Sequence, residues 1–437
     1  MPAFAELSRM MKELEEQLVT CMKCGMCQAV CPLYAETGRE GDVARGKLVL
    51  LDGIMQEMFR DPASVSERLN RCLLCGSCAA GCPSGVSVLE IFAKARTILA
   101  GYMGLPPAKR ILLRGMLAHP GLFDRMADWG ARFQKIFTQP VNDILGTSCA
   151  RFASPLIHHR HFKPLAAEPY HRQVPMLNTA PGKSGFKVAF FVGCLIDKFY
   201  PNVAQATVEV LRGKGVGIFM PASQGCCGIP AVSAGDSDAF RSLLRHNLAC
   251  FEAQDFDFLV TSCATCTSTI KELWPVMAAG DDSLSQGVQR ISEKTLDINQ
   301  FLVRHVGIET PDHGPPDSPV RVTYHDPCHL KKALNVSSEP REVIRANASC
   351  ELVEMEQPDW CCGMGGSFNV QYYELSGRIG RRKRDQVVAT GCDVVATGCP
   401  ACMMQISDML SQSGDRIAVK HPIELLADGQ LAKGNSS

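Results

Sequence analysis

Gln224-Gly225-Cys226-Cys227-Gly228 and Trp360-Cys361-Cys362-Gly363-Met364 are two occurrences of one rare pattern, adjacent cysteines followed by glycine. Each pair stands between a lone upstream cysteine and a downstream Cys-x-x-Cys. Cys194 lies 32 positions before Cys226, and Cys263 and Cys266 follow. In the second occurrence Cys328 stands 134 residues after Cys194 (328 − 194), and Cys399 and Cys402 close the set. Five cysteines in one order at nearly one spacing, twice, describe a repeat built around a metal cluster.

Around each set the chain alternates between strand and helix patterns. In the first repeat, residues 187–192 predict a buried strand ending at Gly193-Cys194. Residues 202–214 predict a helix, 217–220 a strand ending before Cys226, 238–253 an amphipathic helix, and 258–261 a strand delivering Cys263. In the second, 321–324, 351–355 and 393–397 play the same parts for Cys328, Cys361 and Cys399, and 421–426 a short closing helix. Each cysteine group is thus expected just past the carboxyl end of a parallel strand, where open α/β sheets place ligands.

The N-terminal hundred residues carry a different cysteine pattern. Cys21-x-x-Cys24-x-x-Cys27-x-x-x-Cys31-Pro32 is followed about fifty residues later by Cys72-x-x-Cys75-x-x-Cys78-x-x-x-Cys82-Pro83. Three thiolates at two-residue gaps wrap one corner of a cubane in a tight loop, and the proline ends the loop. Both runs resemble the bacterial ferredoxin motif, whose fourth cysteine ligates the other cluster. That resemblance implies Cys21, Cys24 and Cys27 with Cys82, and Cys72, Cys75 and Cys78 with Cys31. A zinc ribbon uses separated Cys-x-x-Cys pairs instead. Helical patterns at 6–18 and 43–58, and a Ser64-x-x-Glu67 capping box before Cys72, make the linking segments helices rather than hairpins.

Composition narrows the rest. The chain has 437 residues, zero formal net charge and 46% hydrophobic residues. It is globular, about three domains long, and no nucleic-acid binder by charge. No apolar run approaches the roughly 18 residues of a membrane span. The first twenty residues lack the apolar core and cleavage site of a signal peptide. The expected location is cytoplasmic, or peripheral on the inner face of the membrane. There, clustered thiols among 22 cysteines read as metal ligands rather than disulfides. Residues 111–116 and 122–137 look like amphipathic helices, and 154–184 like an irregular Pro/His-rich linker. His158, His159 and His161 read as a solvated loop before a metal site. Cys149, Cys250, Cys350 and Cys392, outside the repeats, read as small buried hydrophobes, and Arg381-Arg382-Lys383-Arg384 as a solvated helix face.

Two ferredoxin runs followed by two Cys-Cys-Gly (CCG) repeats resemble a known family over nearly the whole chain. It comprises the iron–sulfur subunits of glycolate oxidase, of respiratory lactate dehydrogenases and of anaerobic glycerol-3-phosphate dehydrogenase, and shares its layout with heterodisulfide reductases. His325-Asp326-Pro327-Cys328-His329, Glu339-Pro340-Arg341 and the run from Cys361 to Phe368 look most like the lactate and glycolate members. The resemblance implies an α-helical ferredoxin domain (1–100) with two 4Fe-4S clusters and a helical connector and linker (101–185). Two tandem α/β CCG domains (186–310 and 311–437) follow, related by a pseudo-twofold. It implies one or two further 4Fe-4S clusters, cubane or noncubane, on Cys194, Cys226, Cys227, Cys263 and Cys266, and on Cys328, Cys361, Cys362, Cys399 and Cys402. With no G-x-G-x-x-G after a strand, the chain reads as wiring without a catalytic residue of its own. The implied partner is an FAD-dependent 2-hydroxy-acid dehydrogenase subunit, and the acceptor a quinone or other membrane-linked carrier. In the alternative, the CCG clusters themselves perform disulfide chemistry.

Overall fold

The computed structural model describes residues 4–58, 60–152, 159–309 and 318–434. Up to Met103 the described residues form helices and no strand. Phe4–Leu18, Ala44–Met55, Pro62–Asn70 and Val88–Met103 pack around Leu48, Leu69, Ile91 and Phe92. The Ser64-x-x-Glu67 capping box does not form. The helix begins earlier, because Pro62 suits a first turn and Asp61 takes the cap, accepting from the Ala63 and Ser64 amides at 3.0 and 3.3 Å.

The connector is more ordered than its composition suggests. Ile111–Leu117 is wound as a π-helix, and the helix Pro120–Phe137 follows. Strands β1 (Thr138–Asn142) and β2 (Thr147–Ala150) then form an antiparallel hairpin. The expected linker is partly tied down. Strand β3 (Leu177–Asn178) pairs antiparallel with a later strand, and residues 153–158, including Ser154, Pro155 and His158, lie outside the described residues.

The first repeat holds β4 (Lys187–Phe190), β5 (Gly217–Met220), β6 (Phe258–Thr261) and β7 (Thr295–Asp297). Its sheet runs β3-β5-β4-β6-β7, parallel apart from β3. The second repeat holds β8 (Val320–Tyr324), β9 (Cys350–Leu352), β10 (Val394–Ala396) and β11 (Ala418–Lys420), in the parallel order β9-β8-β10-β11. Strand for strand the two orders agree, second-first-third-fourth, with β3 added to the edge of the first. Right-handed crossovers send the chain to opposite faces after the first and second strands of such a sheet. A crevice therefore opens between the first and third strands at their carboxyl ends. Cys194 and Cys263 emerge there in the first repeat, and Cys328 and Cys399 in the second. The expected strands at 217–220 and 258–261 form as read; 351–355 shortens to β9, and the closing helix extends over Pro422–Gly434.

The glycine of each Cys-Cys-Gly is dictated twice over. Gly228 and Gly363 have φ of +95° and +92°. A Cβ on Gly228 would meet the buried Phe240 ring at 2.6 Å, and one on Gly363 the Ser376 carbonyl oxygen at 2.6 Å. We predict that Gly363→Ala costs on the order of 2–4 kcal/mol, adding backbone strain to a clash with an atom that cannot rotate away. Gly228→Ala should cost less, because a ring can shift. Thermal melts and iron content of the two variants test this ranking, and equal stability of both with the parent chain would contradict it.

Candidate iron–sulfur sites

In the N-terminal domain each run borrows from the other. One cavity is lined by Cys21, Cys24 and Cys27 together with Cys82 and Cys78. A second is lined by Cys72, Cys75 and Cys78 together with Cys31. Pro32 and Pro83 stand at the walls. Each cavity therefore brings the first three cysteines of one run together with the fourth of the other, with Cys78 on both walls. Burial pushes the Cys31 thiol up to about 12 and the Cys78 thiol well above its usual range. A thiolate at either position requires a cation beside it.

In the first CCG repeat the sulfurs converge. Cys194 Sγ lies 3.7 Å from Cys226 Sγ. Cys227 contacts Cys226 and Cys266, and Cys263 contacts Cys266. The loop is held by side chains that the sequence did not single out. Gln224 donates to the Phe190 carbonyl and accepts from the Val192 amide, each at 2.9 Å. Asn247 accepts from the Gly225 amide at 2.8 Å and donates to the Cys226 carbonyl at 2.9 Å. The Trp274 indole donates to the Cys227 carbonyl at 2.9 Å. The only sequence trace of the Asn247 and Trp274 clamps is a polar or aromatic residue on an otherwise apolar helix face. Cys194 faces an open cavity lined by Phe123, Asp124, His171, Asp197 and Lys198. Burial would raise the Asp197 carboxyl, but His171 at 3.1 Å and Lys198 at 2.7 Å outweigh it and hold it down at about 2.

The second repeat gathers its five in the same way. Cys361 contacts Cys328 and Cys362. Cys362 Sγ lies 3.3 Å from Cys402 Sγ, and Cys399 contacts Cys402. Neighbouring thiols and burial push Cys226, Cys266, Cys361 and Cys402 well above the ordinary thiol range. Five convergent, unbridged sulfurs per site, mostly buried where a lone thiolate is costly, suit a cationic iron cluster and little else.

The sets also touch one another. Cys75, of the second ferredoxin cavity, contacts Cys361 of the second CCG set. Cys399 of that set contacts Cys263 of the first. The two Cys-x-x-Cys loops are stitched together where the Ala264 amide donates to the Gly398 carbonyl at 2.9 Å. His329 bridges three parts of the chain. Its Nε2 donates to the Leu74 carbonyl at 3.1 Å, so its Nδ1 accepts from the Thr265 hydroxyl at 3.0 Å. Lys332 donates to Ser77 Oγ at 2.7 Å and the Asp359 carbonyl at 2.8 Å, between Cys75 on one side and Cys328 and Cys361 on the other. Arg96, buried in the N-terminal domain, donates to the Cys72 carbonyl and to the Ser233 carbonyl of the first repeat, each at 2.9 Å.

Other sequence expectations resolve differently. His161 is occupied structurally, its ring on Ser411 Oγ at 2.8 Å and its amide on Asp408; His159 is exposed and His158 lies outside the described residues. The run at 381–384 is a solvated face only in part, Arg381 and Arg382 being exposed. Lys383 is buried and donates to the Gln357 carbonyl at 2.6 Å, Arg384 grips Asp415, and Arg382 lies over the Trp360 ring. Of the four outlying cysteines only Cys392 is buried; Cys149, Cys250 and Cys350 are half-buried.

Comparison with known proteins agrees with this arrangement. Residues 17–86 match the 4Fe-4S dicluster domain family, and residues 188–271 and 322–407 match the cysteine-rich domain family. The chain is 28% identical to the probable glycolate oxidase iron-sulfur subunit of Bacillus subtilis (strain 168), covering 95% of this chain and 94% of that protein. It is 33% identical to lactate utilization protein A of Geobacillus thermodenitrificans (strain NG80-2), over 55% of this chain and 98% of that protein. It is 27% identical to a subunit of the fumarate reductase (CoM/CoB) of Methanothermobacter marburgensis, over 94% of this chain and 72% of that protein. With its dicluster domain and paired cysteine-rich domains, the chain belongs to the iron–sulfur protein family of the glycolate oxidase iron-sulfur subunits and lactate utilization protein A.

Proposed function

We propose that this chain is the electron-transfer subunit of a 2-hydroxy-acid dehydrogenase complex. It would carry electrons from an FAD-dependent partner that oxidises glycolate or lactate toward a quinone or another carrier, the substrate site lying on the partner. The observation that carries this reading is the unbroken contact of cysteine sets, from the first ferredoxin cavity through Cys78, Cys75–Cys361 and Cys399–Cys263 to the first CCG set. When bound, iron–sulfur clusters accept and release electrons singly.

We assign Cys21, Cys24, Cys27 and Cys82 to one 4Fe-4S cluster and Cys72, Cys75, Cys78 and Cys31 to a second. Each CCG pentad holds a further cluster, and the two CCG domains are a pseudo-twofold pair. The chain's own residues shape the sites. The Gln224, Asn247 and Trp274 clamps fix the thiol positions, and His329 and Lys332 lock the ferredoxin domain against the repeats.

No described helix is long and apolar enough to cross a membrane. Attachment would instead use Pro120–Phe137, whose Leu122, Met126, Trp129, Ile136 and Phe137 are 42–70% exposed. Exposed Arg125, Arg132 and Lys135 flank this stripe. An apolar stripe edged by cations suits the headgroup region of an anionic bilayer.

A second reading, disulfide or thiol chemistry at the CCG clusters, is favoured by the likeness to the fumarate reductase (CoM/CoB) subunit.

Anaerobic purification with any associated flavoprotein should yield about sixteen irons per chain, four for each of four clusters, and reduction by glycolate, D-lactate or L-lactate. About eight irons would sink the CCG assignment. Full iron without hydroxy-acid reduction, but with a new paramagnetic signal on adding a thiol under oxidising conditions, would transfer the function to disulfide chemistry. Lys332→Met removes a half-buried positive charge beside two cysteine sets and disfavours the more negative reduced state. Potentiometry should show two centres shifted down by on the order of 50–100 mV; unmoved potentials would contradict this placement. In sedimentation with vesicles, wild type should partition onto phosphatidylglycerol-containing vesicles and Trp129→Ser/Ile136→Ser should lose most of that binding. Equal recovery with neutral vesicles, or none with either, removes the membrane role.

A further inference from the structure

We propose that His325 is a sixth protein donor of the second CCG site, binding iron through Nε2 beside Cys362 and Cys402. The inference rests on the reading of that site as an iron–sulfur centre. His325 follows the last residue of β8 and is fully buried at the carboxyl end of the strand, in the crevice that receives Cys328. Its backbone amide is fixed on the Ala396 carbonyl at 2.9 Å. Nδ1 lies 3.0 Å from the Pro358 carbonyl oxygen. A carbonyl only accepts, so Nδ1 carries the proton, and in the neutral ring the lone pair is on Nε2.

That lone pair has no hydrogen-bond partner. A ring nitrogen of His325 lies with Cys362 Sγ and Cys402 Sγ, the three atoms all within 4.8 Å of one another, and with Nδ1 turned to Pro358 the nitrogen left for iron is Nε2. The Cys362–Cys402 separation of 3.3 Å is an edge length of a metal coordination sphere with bonds of about 2.0–2.3 Å, and the imidazole nitrogen stands close enough to join it. Metal-bound histidines characteristically donate their other ring N–H to a carbonyl or carboxylate, as His325 does to Pro358. Both sides of the ring are braced. Asp326 is gripped in two-point fashion by Arg341 at 2.9 and 3.0 Å, and the loop before Pro358 is held by Lys383 on the Gln357 carbonyl.

The first repeat cannot do this. At the register of 134 residues (325 − 134) the equivalent of His325 is Phe191, fully buried and without a donor atom. The two CCG sites therefore differ in chemistry: five sulfurs in the first, five sulfurs and a nitrogen in the second. Nitrogen ligation raises iron–sulfur potentials, so the second site holds an electron more tightly than an all-sulfur site in the same surroundings.

The test uses the holoprotein labelled with 57Fe and with 15N-histidine. Mössbauer spectra and nitrogen hyperfine spectra of the reduced and oxidised protein should show one nitrogen-bound iron subsite sensitive to the label. His325→Phe, which installs the residue of the first repeat, and His325→Gln, which keeps a donor for Pro358, should both lose it and shift one centre to lower potential. His329→Gln should keep it. About sixteen irons and normal reduction through the flavoprotein without label-sensitive coupling would overturn the ligand assignment alone. The same coupling persisting in both His325 variants would do so too. About eight irons would overturn the site and the ligand together.

Discussion

A buried thiolate needs a positive charge beside it, and most of this fold answers to that requirement. The eighteen repeated cysteines stand at loop ends and strand ends, and at Cys31, Cys78, Cys226 and Cys361 burial and neighbouring thiols favour the protonated form. Several cations are buried among them with only neutral hydrogen-bond acceptors. Lys47 donates to the Asp42 carbonyl, Lys383 to the Gln357 carbonyl, and Arg96 to three carbonyls. Burial lowers Lys47, and lowers Lys383 to about 8. Isolated, such groups would be costly. Their compensation comes from the thiolates they face, Cys31 and Cys72 for Lys47, Cys361 and Cys362 for Lys383. The cationic shell and the anionic cysteine sets are each unreasonable without the other.

The same constraint explains the architecture of the repeats. Five thiols must approach one point from three segments far apart in sequence. A parallel sheet in second-first-third order brings the carboxyl ends of three strands to one crevice, and Gly228 and Gly363 let the adjacent cysteines turn into it without a side chain in the way. The Cys-x-x-Cys loops then serve twice, as donors within a repeat and as the seam between repeats, through the Ala264–Gly398 hydrogen bond and the Cys263–Cys399 contact.

Local pattern made much of this legible. Spacing alone located all four sets, and alternation of apolar runs located β5 and β6 to the residue, because buried parallel strands bounded by glycine and cysteine leave little latitude. Failures came where the deciding partner is remote or slight. Ser64-x-x-Glu67 matched a capping box, yet Asp61 with Pro62 made the stronger start three residues earlier. The 381–384 run looked solvated because charge was counted without Trp360, Gln357 and Asp415, which lie in other segments. The β1–β2 hairpin carries Pro140 and an apolar alternation too weak to announce itself. Contacts between sets, such as Cys75 with Cys361, join residues hundreds of positions apart, and no local spacing records them.

Duplication explains why the two CCG sites began alike, and burial explains why they need not remain so. A phenylalanine at 191 and a histidine at 325 fill comparable space after the first strand of each sheet, so packing tolerates either. They differ in what the crevice receives. Phe191 lies tilted against Phe251 with ring centroids 5.8 Å apart and offers the first site only hydrocarbon. His325, with one nitrogen spent on Pro358 and the other aimed at Cys362 and Cys402, leaves a lone pair that only a proton or a metal can satisfy. Iron of the cluster assigned to this site would meet that need. The asymmetry also has a direction. The second site is the one touching the ferredoxin domain through Cys75, whereas the first opens to solvent beside Cys194. A nitrogen donor at the inner site would make the last two members of the row unequal in their hold on an electron, which identical ligand sets would leave to their surroundings alone.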